Sequence, residues 1–158
     1  MKKSSRTADP AVERYTLDTY AVLSYLRDEF CADEVASLLQ AGKSGRALLY
    51  FSWINLGEVF CIVQRRNGHD TARSIVEMIK EWPVRLVLPS QEDILSAGDV
   101  KAKYPLSYAD AFAVALARSK QAFLVTGNME FKKPEEDGMV KVRWLKNGPN
   151  HRSGRGLD

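Results

Sequence analysis

An α/β chain built on a mainly parallel central sheet is predicted by three observations. Short apolar runs of strand length recur at 14–18, 46–52, 84–88, 122–126 and 139–145. Segments with helical apolar spacing, mostly ten or more residues long, alternate with them. The 158 residues suffice for one sizeable core and are too few for two ordinary domains.

The first strand, "RYTLD", ends at Asp18, and from Thr19 the spacing turns helical through Val22, Leu23 and Leu26. "DEVASLLQAG" at 33–42 reads as a second helix with Gly42 near its end. "RALLYFS" is the next strand. It leads into the helical "WINLGEVFCIVQRRNG", which runs to the Asn67-Gly68 turn signal in spite of an interior Gly57. His69 falls in that turn, before the amphipathic helix "DTARSIVEMIKEW" and the strand "VRLVL". The following helix is expected to start near Ser90, with Glu92 and Asp93 in its first turn, and to stop before Tyr104-Pro105. "SYADAFAVALARSK" is a compact alanine-rich helix, "AFLVT" a strand, and "MVKVRWL" a last short strand. The chain thus divides into a basic extension over 1–13, a folded domain over 14–145 and a polar basic tail over 146–158.

Composition narrows the function classes. The hydrophobic share of 45% and aromatic share of 9% suit a soluble globular protein. No apolar run approaches the roughly 18 residues of a spanning helix, and "MKKSSRTADP" is not followed by the apolar core of a secretory signal. A cytoplasmic protein is expected. Cys31 and Cys61, both in apolar-periodic stretches, read as two buried reduced thiols. His69 and His151 are the only histidines, in a turn and a tail, which leaves little material for a histidine triad or a zinc site. "AGKSG" at 41–45 is no phosphate loop: Ser37 stands where the first glycine belongs, and the segment precedes a strand instead of following one. The net charge is +3, and its distribution is uneven. Residues 1–14 carry four basic and two acidic side chains and residues 146–158 three and one, so the ends hold +4 and the middle −1. Such ends could attract phosphate or simply solubilise the chain.

Four positions are candidates for one site. Asp18 ends an interior strand, the edge where ligand crevices form in open parallel sheets, although it could equally cap the helix that follows. Glu58 stands at helical spacing from Ile54, Cys61 and Ile62, and Asn55, three residues earlier, points to the same neighbourhood. Asp110 lies on a stripe made by Leu106, Ala113, Val114 and Ala117, where an isolated charge is costly unless an ion or hydrogen bonds stabilise it. Asn128 follows the "AFLVT" strand toward the same edge, either as a turn residue or as a further oxygen donor. An oxygen-rich set of this kind suits a hard divalent ion.

These segments, "LDTYAVLSYL", "NLGEV", "SYADAFAVALA" and "LVTGNMEF", resemble the PIN-domain family, and within it the VapC-like ribonuclease toxins of toxin-antitoxin pairs, over roughly residues 14–145. The resemblance implies a three-layer α/β/α fold and an endoribonuclease that uses Mg2+ or Mn2+. Asp18, Glu58 and Asp110 would occupy its acidic metal positions and Asn128 a commonly acidic fourth one, with Thr126 as the small hydroxyl residue beside them. Asn128 keeps a carbonyl oxygen and loses a charge. Glu130 either compensates for that loss or is an exposed turn residue. The resemblance further implies an RNA substrate, an antitoxin partner and a homodimer, with Val22, Leu26, Val35 and Leu38 as interface candidates that the pattern does not separate from core. Arg65 and Arg66, Lys101 and Lys103, and Lys132 and Lys133 are candidates for docking RNA beside acids that repel it. Three other readings remain open: a housekeeping RNA-processing nuclease, a non-catalytic PIN-like binding module, and a phospho-receiver domain built around Asp18.

Overall fold

The computed structural model of the protein describes residues 12–148. The extension over 1–13 and the tail over 146–158 lie largely outside that span. In chain order the elements are β1 (Glu13–Leu17), α1 (Thr19–Leu26), α2 (Ala32–Lys43), β2 (Ala47–Ser52), α3 (Trp53–Asn67) and α4 (His69–Lys80). They are followed by β3 (Arg85–Val87), α5 (Gln91–Lys103), α6 (Tyr108–Ser119), β4 (Phe123–Thr126), a 3-10 turn (Met129–Phe131), α7 (Lys132–Glu136) and β5 (Val142–Trp144).

All five strands are parallel and ordered β3-β2-β1-β4-β5, with Leu17 in register with Phe51 on one side and Val125 on the other. The three-layer α/β/α arrangement follows from the alternation of side chains along these strands. Tyr15, Leu17, Leu49, Phe51 and Val125 turn to one face and pack against α1–α4. Leu124 turns to the other, beneath α6, with α5 packed on α6 through Ala97, Val100 and Ala111. This order excludes the phospho-receiver reading, because receivers run 2-1-3-4-5. Here the chain winds outward from β1 to β3 and then returns to lay β4 on β1's other side. The crevice of an open parallel sheet forms at that reversal, outside the carboxyl ends of β1 and β4.

Local chemistry accounts for the helix ends. Ser90 accepts from the Asp93 N–H at 3.1 Å while Asp93 accepts from the Ser90 N–H at 2.9 Å, a reciprocal cap that starts α5 where expected. α3 continues through Gly57 and stops at Gly68, whose φ of 88° suits a residue without Cβ. His69 opens α4 instead of sitting in the turn, with its ring edge-on to Phe60 at 5.9 Å. The flanking strands are shorter than their apolar runs, three residues each in β3 and β5.

Three sequence expectations need correction. Cys31 is buried, but Cys61 is exposed; both are free thiols. Val22, Val35 and Leu38 are core residues, and Leu26 packs against that core, so they do not form a free surface for a second subunit. The stripe around Glu58 is only partly inward: Ile54 and Cys61 are exposed, Ile62 is half-buried against the core, and the fully buried positions of α3 are Asn55, Leu56 and Val59.

Candidate active site

Asp18 leaves the end of β1 and caps α1, with Oδ1 accepting from the Ala21 N–H at 2.8 Å. The capping role is therefore real, and it uses half of the carboxylate. Oδ2 is buried and has no hydrogen-bond partner among the described residues. Burial drives the Asp18 pKa from 3.8 up to about 8, the neighbouring Thr126 hydroxyl and the Ala21 N–H oppose the rise, and the charges of Asp110 and Glu58 add to it.

Asp110 comes from the first turn of α6, where Ser107 caps the helix by accepting the Asp110 N–H at 3.1 Å. Its predicted stripe holds, since Leu106, Ala113, Val114 and Ala117 are all buried, while Asp110 itself is half-buried at the helix mouth. Burial raises its pKa to about 6, Ser107 opposes, and Glu58 and Glu130 raise it further through their charges. Glu58, half-buried on α3, is thus the carboxylate that both others feel. Three acids from three separate elements are thus near enough to act on one another's charge.

The fourth position has a different character. Thr126 is fully buried beside Asp18 and its Oγ1 accepts the Asn128 N–H at 3.0 Å. Asn128 Oδ1 accepts from the Glu130 N–H at 3.0 Å and so caps the 3-10 turn, and Nδ2 donates to Glu130 Oε2 at 3.5 Å. The amide is spent on local turn geometry, and it holds Glu130, whose charge reaches Asp110. Gly127 between them is required by packing, because a Cβ there would overlap the Tyr20 ring, with Cζ at 2.8 Å.

The sequence model of the PIN domain matches residues 15–137. The chain belongs to the PIN-domain family. Its fold is similar to that of VapBC2 from Rickettsia felis bound to a promoter DNA fragment, with TM-score 0.65 and 17% identity over 84% of this chain and 99% of that one. It is also similar to DNA-bound VapBC from Salmonella typhimurium (TM-score 0.62, 16% identity, 83% and 97% covered). A third likeness is to VapC20 of Mycobacterium tuberculosis, a toxin that cleaves the sarcin-ricin loop (TM-score 0.61, 19% identity, 82% and 98% covered). At these identities the likeness is one of fold. No curated protein sequence matches the chain.

Around this PIN domain's crevice the predicted basic pairs have different fates. Lys132 and Lys133 are held in ion pairs with Glu135 at 3.2 Å and Asp137 at 3.0 Å. Arg65 and Arg66 are exposed at the far end of α3. Lys101 donates to Leu106 O at 2.8 Å and stands 5.3 Å over the exposed ring of Tyr108, which is two residues before Asp110. Sequence reasoning missed Ser107, although Ser-x-x-Asp is a helix-start signature. It also missed Thr19 and Tyr20, which offer no signal beyond adjacency to Asp18.

Proposed function

We propose that this PIN domain is a metal-dependent endoribonuclease, the toxin of a toxin-antitoxin pair, acting on RNA in the cytoplasm. The observation that supports the reading is the electrostatic coupling of Asp18, at the sheet's reversal point, with Glu58 and Asp110, and the lifting of Asp18 and Asp110 above the ordinary carboxylate range. Like charges gathered in a buried crevice call for a cation, and the unpartnered Asp18 Oδ2 is a donor left over for one. The donors are all oxygens, which fits Mg2+ or Mn2+. Among the described residues no three His, Cys, Asp or Glu side chains are grouped so as to hold an ion between them. Magnesium needs only one or two direct carboxylates, with water completing its shell, so the donor set is compatible with it.

When bound, such an ion supplies charge stabilisation at a phosphoryl oxygen and makes water a better nucleophile. Asp18 and Asp110 would hold it, with Glu58 completing the negative field. The Ala21 N–H holds the Asp18 carboxylate in one orientation. The acids repel RNA, so phosphate attraction falls to the rim, where Lys101 supplies a cation and Tyr108 an exposed ring suited to stacking on a base. The likeness to VapBC assemblies supports an antitoxin partner, which on this reading would direct a basic side chain toward the acids. A homodimer would use an exposed apolar surface, and Leu88, Ile94 and Leu95 around the start of α5 provide one, at 74%, 49% and 72% exposure. No helix of the described residues is long and apolar enough to cross a membrane.

A second reading, a PIN-like module that binds without cutting, draws on Asn128, whose oxygen is already engaged in its turn. A metal titration of RNA cleavage separates the two. Asn128→Asp is expected to lower the magnesium concentration for half-maximal cleavage by about tenfold, the effect of roughly 1.4 kcal/mol from an added charge-assisted contact. Asn128→Ala should raise that concentration. Identical responses in all three proteins remove Asn128 from the metal site. A folded wild type that neither binds manganese nor cuts any single-stranded or looped RNA establishes the non-catalytic reading.

A further inference from the structure

We infer that Asn55 is a positioning residue that sets the separation of Asp18 and Asp110 by tying together the helices that carry them. It rests on the nuclease reading for its effect on cleavage, and on hydrogen bonds alone for its effect on the protein without metal. Asn55 is fully buried in the first turn of α3. Its Nδ2 donates to Thr19 Oγ1 at 3.0 Å and to Ala109 O at 3.2 Å. Thr19 follows Asp18 in sequence, and Ala109 precedes Asp110. One amino group therefore joins the immediate neighbours of both acids, which belong to α1 and α6.

The amide can face only one way. A carbonyl such as Ala109 O accepts and never donates, so the amino end must point toward α6. That orientation spends both Nδ2 hydrogens and leaves Oδ1 buried without a partner among the described residues. An unpaired buried oxygen costs about 1–3 kcal/mol. A side chain present only to fill this volume would do better as leucine. The polar group is explained by the connection it makes.

The connection spans two helix starts. Asp18 caps α1 and Asp110 lies in the first turn of α6, so the Asn55 amino group joins the two helix ends that carry the acids. No other ordinary side chain has the same reach. Serine offers one donor, leucine none, and glutamine is one methylene too long for a site this well filled.

Asn55→Leu and Asn55→Ser test this without relying on cleavage. Amide hydrogen exchange is read at Asp110 and Ala111, in the first turn of α6, against Leu116 and Ala117 near its end, with manganese affinity measured by calorimetry. In Asn55→Leu, exchange at the first pair should quicken by about tenfold while the second pair is unchanged, and manganese binding should weaken by about tenfold or more, the usual effect of removing support behind a metal ligand. Asn55→Ser, retaining one donor, should fall between leucine and wild type in both measurements. Unchanged exchange at Asp110 and Ala111 in the leucine variant overturns the inference, as does equal acceleration along the whole of α6. Should the leucine variant fail to fold, the serine variant alone decides by the same comparison. If wild type binds no manganese, the nuclease reading fails, while the exchange data still decide whether Asn55 ties α1 to α6.

Discussion

Asp110→Asn is expected to lower metal-supported RNA cleavage by on the order of 10²–10³-fold, the loss seen when one preorganised charge-stabilising group is removed. The substitution keeps the volume of the side chain and removes its charge. Its backbone N–H still bonds Ser107, so the start of α6 is preserved. Removing one of three mutually repelling acids also relieves the crevice, and the metal-free variant should unfold at a temperature no lower than wild type. Loss of activity would then be separable from loss of fold. Equal cleavage by folded wild type and Asp110→Asn, across several single-stranded and looped RNAs, would falsify the catalytic role.

A second large effect concerns pH. With Asp18 at about 8 in the folded chain and near 3.8 when unfolded, the native state keeps a proton that the unfolded state has lost throughout that interval. Stability of the metal-free protein must therefore fall as pH rises from about 4 to about 8. The contribution is complete below the unfolded value and gone above the folded one. Each unit is about 1.4 kcal/mol, so this single buried acid accounts for several kcal/mol. Asp110 adds a smaller loss that ends near pH 6. Urea unfolding between pH 4 and 8.5 should show this decline, manganese should restore stability at the alkaline end, and Asp18→Asn should flatten the slope. A wild-type slope of zero, or the same slope in Asp18→Asn, contradicts the assignment of Asp18 as a buried acid under repulsion.

Much of this architecture is legible in the sequence because local and global preferences agree. The strand ending at Asp18, the alanine stripe around Asp110 and the cap at Ser90 each follow from spacing alone, and all three stand where expected. Ile54, Glu58 and Cys61 do share one face of α3, as their spacing requires, but spacing does not say which face looks inward. The interior is met by Asn55, Leu56 and Val59, and a polar residue at the centre of that set masks it. The 3-10 turn and α7 have no helical period to announce them, because "EFKKPEED" holds too few apolar residues to show one. Pro134 is nonetheless compatible with a helical first turn, and Phe131 and Pro134 are buried beneath it. The use of Asn128 as a cap depends on where one oxygen points, which no pattern records.

The placement of the first strand at the middle of the sheet has a consequence for how the molecule is made. As the chain is synthesised, β1 can pair with β2 early, but its other edge stays open until β4 emerges more than a hundred residues later. Asp18 acquires Thr126 only then. A nascent chain cut short before Phe123 thus carries Asp18, Glu58 and Asp110 without the strand that flanks Asp18 on its open side. Stalled chains ending before and after β4 should differ accordingly, the shorter being digested by added protease at β1 and the longer resisting, and equal resistance in both would mean that the crevice closes before its last wall is made.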